Sequence, residues 1–294
     1  MAIISSQGTG SIKLACADFT FPLAPHDVSL DLIAALGFSG VDIGFFEGRS
    51  HVQPSSALRQ LAAEARALQA KCSDRGLAIA DLFLIPGADV VELAPNHPDA
   101  ATRRQARDLF ERSMAFAKEC GADHFSVLPG VAFPDEERAT AFARCVDEMQ
   151  WRVTQAASAG MPLSIEAHSG SIVESPDQVQ ALLGEVPDLR LTLDYGHFAV
   201  QGLPAEAVEP LLPFASHVHA RGGCEGKIQA VEAENTIDFP RMMKALQKQR
   251  YSGWVCLEYV WMDKWDCNRV DNLSETILLR DVLRGVLENG KSAA

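Results

Sequence analysis

Four side chains able to bind a cation close four apolar, strand-like runs in the second half of the chain. Glu166 closes Leu163-Ser-Ile-Glu166, Asp194 closes Leu189-Arg-Leu-Thr-Leu-Asp194, His219 closes His217-Val-His219, and Glu258 closes Trp254-Val-Cys-Leu-Glu258. A carboxylate or imidazole is an unfavourable end for a buried run, because a charge taken out of water without a partner costs several kcal/mol. Four such runs in succession imply that the groups converge on something positive, and a metal ion is the simplest answer. Three carboxylates with one imidazole make an oxygen-rich set with one nitrogen and no thiol. That donor chemistry suits Mn²⁺, with Mg²⁺, Co²⁺ or Zn²⁺ as alternatives.

Such groups need elements that bring their ends together. The chain repeats helix, then glycine, then strand: Gly37 and Gly40 precede Val41-Asp-Ile-Gly-Phe45, Gly76 precedes Leu77-Ala-Ile-Ala80, and Gly121 precedes Asp123-His-Phe-Ser-Val-Leu128. Gly160 and Gly253 stand in the same way before Pro162-Leu-Ser-Ile165 and Trp254-Val-Cys-Leu257. A glycine just past a helix end supplies a left-handed cap. Between the strands, apolar residues recur at helical spacing, as in Leu58, Leu61, Ala65, Leu68 and Cys72, or Phe239, Met242, Met243 and Leu246. Their Met and Phe members read as packing against a sheet.

Strands are expected near 12–17, 40–45, 77–84, 123–128, 162–167, 189–194, 215–220 and 253–259, with a last helix over about 272–290. Eight strands alternating with helices in this length predict an α/β chain folded as a (β/α)₈ TIM barrel, one domain over 1–294. The Gly-x-Gly-x-x-Gly turn of an open dinucleotide-binding sheet is missing after the first strand. In a barrel the four groups would end strands 5 to 8, neighbours around half of the rim that carries the chemistry.

Formal charge is 26 minus 39, or −13. A field of that sign repels phosphate backbones and argues against nucleic acid as a partner. The apolar stretches are strand-sized, so no membrane span is expected. Met1 to Gly10 lacks the basic start and apolar core of a secretory signal. The seven cysteines are odd in number and scattered without a CxxC pair, which predicts reduced thiols in a cytoplasm.

The segments Ser164-Ile-Glu-Ala-His168, Thr192-Leu-Asp-Tyr-Gly-His197, His217-Val-His219 and Leu257-Glu258 resemble the sugar phosphate isomerase/epimerase superfamily with the xylose-isomerase-like barrel. That group includes ketohexose 3-epimerases, hydroxypyruvate isomerase and keto-inositol dehydratase. The resemblance implies that Glu166, Asp194, His219 and Glu258 hold the metal and that Glu166 and Glu258 also form the acid/base pair. It implies that His197 contacts substrate. The expected partner is a small-molecule sugar or cyclitol, and a homo-oligomer is compatible with the sequence.

A metal chelating a carbonyl and its adjacent hydroxyl would acidify the neighbouring C–H. One glutamate would take that proton to give a cis-enediolate and the other return it from the opposite face, an epimerisation. Return at the other carbon makes an aldose–ketose isomerase; loss of a leaving group makes a lyase. A lyase on a keto-sugar, keto-inositol or keto-glycoside is therefore the alternative. An endonuclease-like or non-catalytic metal-binding barrel ranks below both.

Each isolated residue has a plainer reading. A lone strand-end Glu more often caps a helix or makes an ion pair; it is the joint pattern that favours a metal. His217 shares a strand face with His219 and reads as a hydrogen-bonded core group, because His219 lies nearer the carboxyl end. His168, two past Glu166, is expected to contact substrate or orient a ligand. Glu47, beyond strand 2, is a weaker candidate for binding substrate hydroxyls, with a solvated loop acid as its plainer reading. His124 begins strand 4, at the wrong end for chemistry, and reads as structural.

After His219 the relatives often continue with Lys-Asp, whereas this chain has Ala220, Arg221, Gly222 and Gly223. Arg221 is a candidate for binding a substrate oxygen. Gly222-Gly223 is the one weak phosphate nest, and strand 8 runs into the bulky Tyr259-Val-Trp-Met-Asp-Lys-Trp265. A non-phosphorylated substrate is therefore expected, with Tyr259, Trp261 and Trp265 able to stack on sugar faces or serve only as lid packing.

Overall fold

The computed structural model describes residues 11–291; Met1 to Gly10 and the last three residues lie outside it. Eight parallel strands close on themselves in chain order: β1 Lys13–Ala17, β2 Gly40–Phe46, β3 Ala78–Ile85, β4 Phe125–Val127, β5 Leu163–Glu166, β6 Arg190–Asp194, β7 Ala215–Ala220 and β8 Trp254–Leu257. The ring is sealed where Leu14 pairs with Val255 and Cys16 with Leu257. The expected eight strands are thus all present, with β4 shorter than its apolar run. The last helix runs Asn272–Lys291.

Register decides what fills the barrel. Ala17 pairs with Asp42 and Asp42 with Asp81; Phe83 pairs with Ser126, and Ser126 with Ser164. Glu166 pairs with Thr192, Asp194 with His219, and His219 with Cys256. Paired residues of neighbouring strands share a face, so these side chains all enter the barrel. The intervening residues, such as Ile43, Leu82, Ile165, Leu193, Val218 and Leu257, face the helices and are fully buried. One large apolar layer between sheet and helices therefore holds the frame, while the barrel interior is largely polar on the side of β5 to β7.

The expected helix-end glycines Gly37, Gly76, Gly121 and Gly160 all have positive φ. Gly253 does not. The left-handed turn after the helix Phe239–Lys248 falls on Arg250, and Gly253 instead makes room for Tyr251, whose hydroxyl would lie 2.5 Å from a Cβ there. That hydroxyl donates to Trp254 O at 2.7 Å, which ties the turn to the start of β8.

Gly130, beyond β4, is a second close approach. Its φ is +110°, and a Cβ would sit 2.1 Å from Asn96 Oδ1. Asn96 cannot yield, since it is buried and bonded to Val131 N, Val131 O and Ala141 O. Gly130→Ala is expected to lower stability by about 2 kcal/mol or more, from overpacking, backbone strain and a disturbed amide. A denaturant midpoint equal to wild type would refute this.

All seven cysteines are free, and only Cys224 is less than fully buried. Among the described residues no helix is long and apolar enough to cross a membrane.

Candidate metal centre

Glu166, Asp194, His219 and Glu258 arrive at one end of the barrel, all at most 4% exposed. The first three are the terminal or near-terminal inward residues of β5, β6 and β7; Glu258 directly follows β8. Three of them meet closely. His219 Nδ1 lies 2.8 Å from Glu166 Oε1 and 3.4 Å from Glu258 Oε2. Glu258 Oε2 is buried and has no hydrogen-bond partner. Donor atoms of Glu166, His219 and Glu258 all fall within 4.8 Å of one another.

Asp194 stands outside this trio. Its Oδ1 accepts from Gly196 N at 2.7 Å, and its Oδ2 accepts from Arg221 at 2.6 Å. Arg221 is buried, and its other terminal nitrogen lies 3.5 Å from Glu258 Oε2. The guanidinium expected to reach a substrate is therefore a fixed cation inside the cluster, bridging two of the four expected ligands.

Two carboxylates and an imidazole facing one another, with an orphaned buried oxygen among them, fit a divalent cation. Their electrostatic surroundings are unequal. Burial raises Glu258 to about 7, although His219 and Arg221 oppose that. Burial acts in the same sense on Glu166, but the imidazoles of His197 and His219 hold its carboxyl well below the usual range. Burial would keep His219 neutral; Glu258, Asp42 and Glu166 outweigh it and raise the ring's pKa well above the ordinary value.

His197 sits on the short helix Gly196–Ala199 after β6. Its Nδ1 accepts the Ser169 amide at 3.1 Å, and the Arg221 guanidinium lies 3.2 Å from its Nε2. That atom lies 3.6 Å from Asp194 Oδ2 and 3.7 Å from Glu166 Oε2. His168 Nδ1 donates to Ser169 O at 2.7 Å, and its ring packs on His197 with centroids 4.4 Å apart. Burial, then the neighbouring His197, lowers its pKa, so the ring is neutral.

Glu47 does not join the cluster. Its carboxylate accepts from Ser55 N at 2.9 Å and Ser55 Oγ at 2.6 Å, holding the loop after β2. His217 Nε2 donates to Asp42 Oδ2 at 2.6 Å, in the core below His219. His124 bonds Asp81 at 2.7 Å and Ser216 at 2.9 Å. The Gly222 amide donates to Tyr259 and the Gly223 amide to Asn235, so this pair offers no open phosphate nest. Tyr259 is thereby occupied as packing, whereas Trp261 and Trp265 line a cavity of about 520 Å³ over the cluster. Glu166, His168, Arg221 and Glu258 also line it.

Asp42 is the residue that the sequence reading missed. Its Oδ2 lies 3.3 Å from His219 Nε2, the nitrogen that faces away from the carboxylates. A carboxylate behind a ligating histidine fixes its tautomer and orientation. The available signal was an acid in the middle of an apolar strand, Val41-Asp-Ile.

Solved structures with this fold are numerous. One is D-psicose 3-epimerase in the presence of D-fructose, 17% identical, TM-score 0.75, covering 94% of this chain and 99% of that one. Another is 3-keto-D-glucoside 4-epimerase, YcjR, from E. coli, 15% identical, TM-score 0.71, covering 92% and 100%. A third is the probable 3-DHS dehydratase AsbF from Bacillus anthracis, 15% identical, TM-score 0.67, covering 92% and 99%. At such identities the likeness speaks for the fold. No curated protein matches at a significant level. The family description "Xylose isomerase-like TIM barrel" matches residues 30–281, and the chain belongs to that family.

Proposed function

We propose that the protein is a divalent-metal-dependent isomerase or epimerase of a small, non-phosphorylated polyhydroxy carbonyl compound. The observation that carries this is the pair of buried carboxylates, Glu166 and Glu258, that meet at His219 Nδ1 on the cavity floor. Glu166, His219 and Glu258 would hold the cation, with Asp194 the further carboxylate on the same rim. Mn²⁺ suits the set best. When bound, the metal would supply Lewis-acid polarisation of the substrate carbonyl.

The remaining work falls to this chain. One glutamate takes the proton from the carbon beside the carbonyl, and the other delivers a proton to the opposite face. His197 is fully buried and stands behind the cavity lining, where it would hold the Glu166 and Arg221 side chains that face the substrate. Arg221, held by Asp194, keeps a positive charge beside the developing enediolate. The apolar cavity walls exclude water from that carbanion-like species. A lyase is the second reading, since the cavity has room for a leaving group.

The test is a panel of keto-sugars and keto-cyclitols incubated in D₂O with Mn²⁺-loaded protein. Deuterium is expected at the carbon beside the carbonyl, and a chelator is expected to stop its uptake. Turnover without solvent exchange, or exchange indifferent to chelation, would reject the proposal. The product then separates epimer, isomer and lyase chemistry.

A further inference from the structure

The cavity is built of two unlike parts. Its floor carries the chemistry, but its walls are mostly apolar, with Phe46, Phe83, Trp261 and Trp265 on them and a polar edge at Arg49, Ser50, His51 and Lys264. The aromatic rings pack as a continuous surface: Phe46 lies edge-on to Phe19 at 5.0 Å and to Phe83 at 5.3 Å between centroids. Phe83 in turn approaches His219 at 5.7 Å, so the apolar wall begins at the cluster itself. A free sugar has a hydroxyl on nearly every carbon. Hydroxyls placed against the aromatic rings would lose water without gaining partners, at about 1–3 kcal/mol each.

The wall also continues to the surface. Leu23, Trp261 and Trp265 all line the mouth and are 79%, 42% and 40% exposed. Large apolar groups left together at the rim of a cavity mark a binding surface. The rim cations do not interrupt it, because Lys264 lies 4.3 Å over the Trp265 ring and Arg49 5.6 Å over Phe46. A volume of about 520 Å³ is in the range that encloses drug-sized ligands, about 300–1,000 Å³.

We infer that the substrate is a keto-glycoside carrying a flat, apolar aglycone, with the sugar on the floor and the aglycone between Phe46, Phe83, Trp261 and Trp265. This rests on the reading of the floor as a polyhydroxy carbonyl site, and adds the chemical class of what lies beyond it.

The test separates binding from chemistry by using glycosides that have no keto group. Phenyl and methyl β-glucosides are titrated against the Mn²⁺-loaded protein, with tryptophan fluorescence as the readout. Burying the phenyl ring is expected to tighten binding about 10- to 100-fold over methyl. In Trp261→Ala and Trp265→Ala that ratio is expected to fall several-fold. Equal affinities for the two glycosides would overturn the inference, as would a ratio untouched in both variants. So would concentration-dependent self-association that buries Trp261 while phenyl glucoside has no effect, since the mouth would then belong to a second copy. None of these readouts needs turnover, so they stand apart from the D₂O result.

Discussion

Glu166→Gln and Glu258→Gln are each expected to lower turnover at least about 10³-fold, within the range that a positioned general acid or base contributes. Glutamine keeps the size and much of the hydrogen bonding of either side chain, so the fold should survive. Both carboxylates would also be ligands, so metal content has to be measured alongside and restored with excess Mn²⁺. With the site loaded, the loss should be sided. In an epimerase, each variant should cease to exchange the epimer whose proton faces the missing carboxylate. The two glutamates reach His219 Nδ1 from β5 and from beyond β8, which gives them different approaches to one substrate carbon. If both loaded variants keep full exchange, the acid/base assignment is wrong.

The barrel was legible because each strand carries its own local record. Glycines such as Gly121 and Gly160 stop the preceding helix with a left-handed turn, and a short apolar run follows. The strand-end groups were legible for a related reason: an apolar run that closes on Glu166 or His219 contradicts its own burial unless something pairs with it. What escaped were relations across the sheet. Asp42 meets His217 across 175 residues of sequence, and nothing near Val41-Asp-Ile points to that partner. Arg221, just past β7, and Asp194, at the end of β6, are 27 residues apart, so the guanidinium could be expected in the site but not its hold on a carboxylate. The cavity wall was hidden differently. Phe19, Phe46 and Phe83 look like any core phenylalanines, and only the strand register that turns Phe46 and Phe83 inward, with Phe19 on the turn after β1, distinguishes them. Gly253 was misread because helix-glycine-strand has two physical causes, a left-handed cap and a close approach, which leave the same letter.

Asp42 is where the largest structural effect is expected. Its Oδ2 lies 2.6 Å from His217 Nε2 and 3.3 Å from His219 Nε2, and all three residues are fully buried. Burial opposes its charge, but the two imidazoles hold its pKa below the usual carboxylate range. Asp42→Ala would leave the buried His217 N–H without its acceptor, at about 1–3 kcal/mol, and would strip the buried His219 ring of the carboxylate 3.3 Å behind its Nε2. A loss of about 3–5 kcal/mol is expected by denaturant unfolding, as for other broken buried pairs. That would be a large share of a stability of about 5–15 kcal/mol. Asp42→Asn is the more telling variant, because it keeps an acceptor oxygen and should fold. Binding a cation at Nδ1 requires that nitrogen to be free of its proton while Nε2–H stays on residue 42. Removing the negative charge there weakens the ring as a donor and loosens its tautomer. Mn²⁺ affinity, measured by competition with a chromophoric chelator, is expected to fall about 10- to 100-fold in Asp42→Asn. Unchanged affinity in a folded Asp42→Asn protein would reduce Asp42 to core packing and remove its role behind His219.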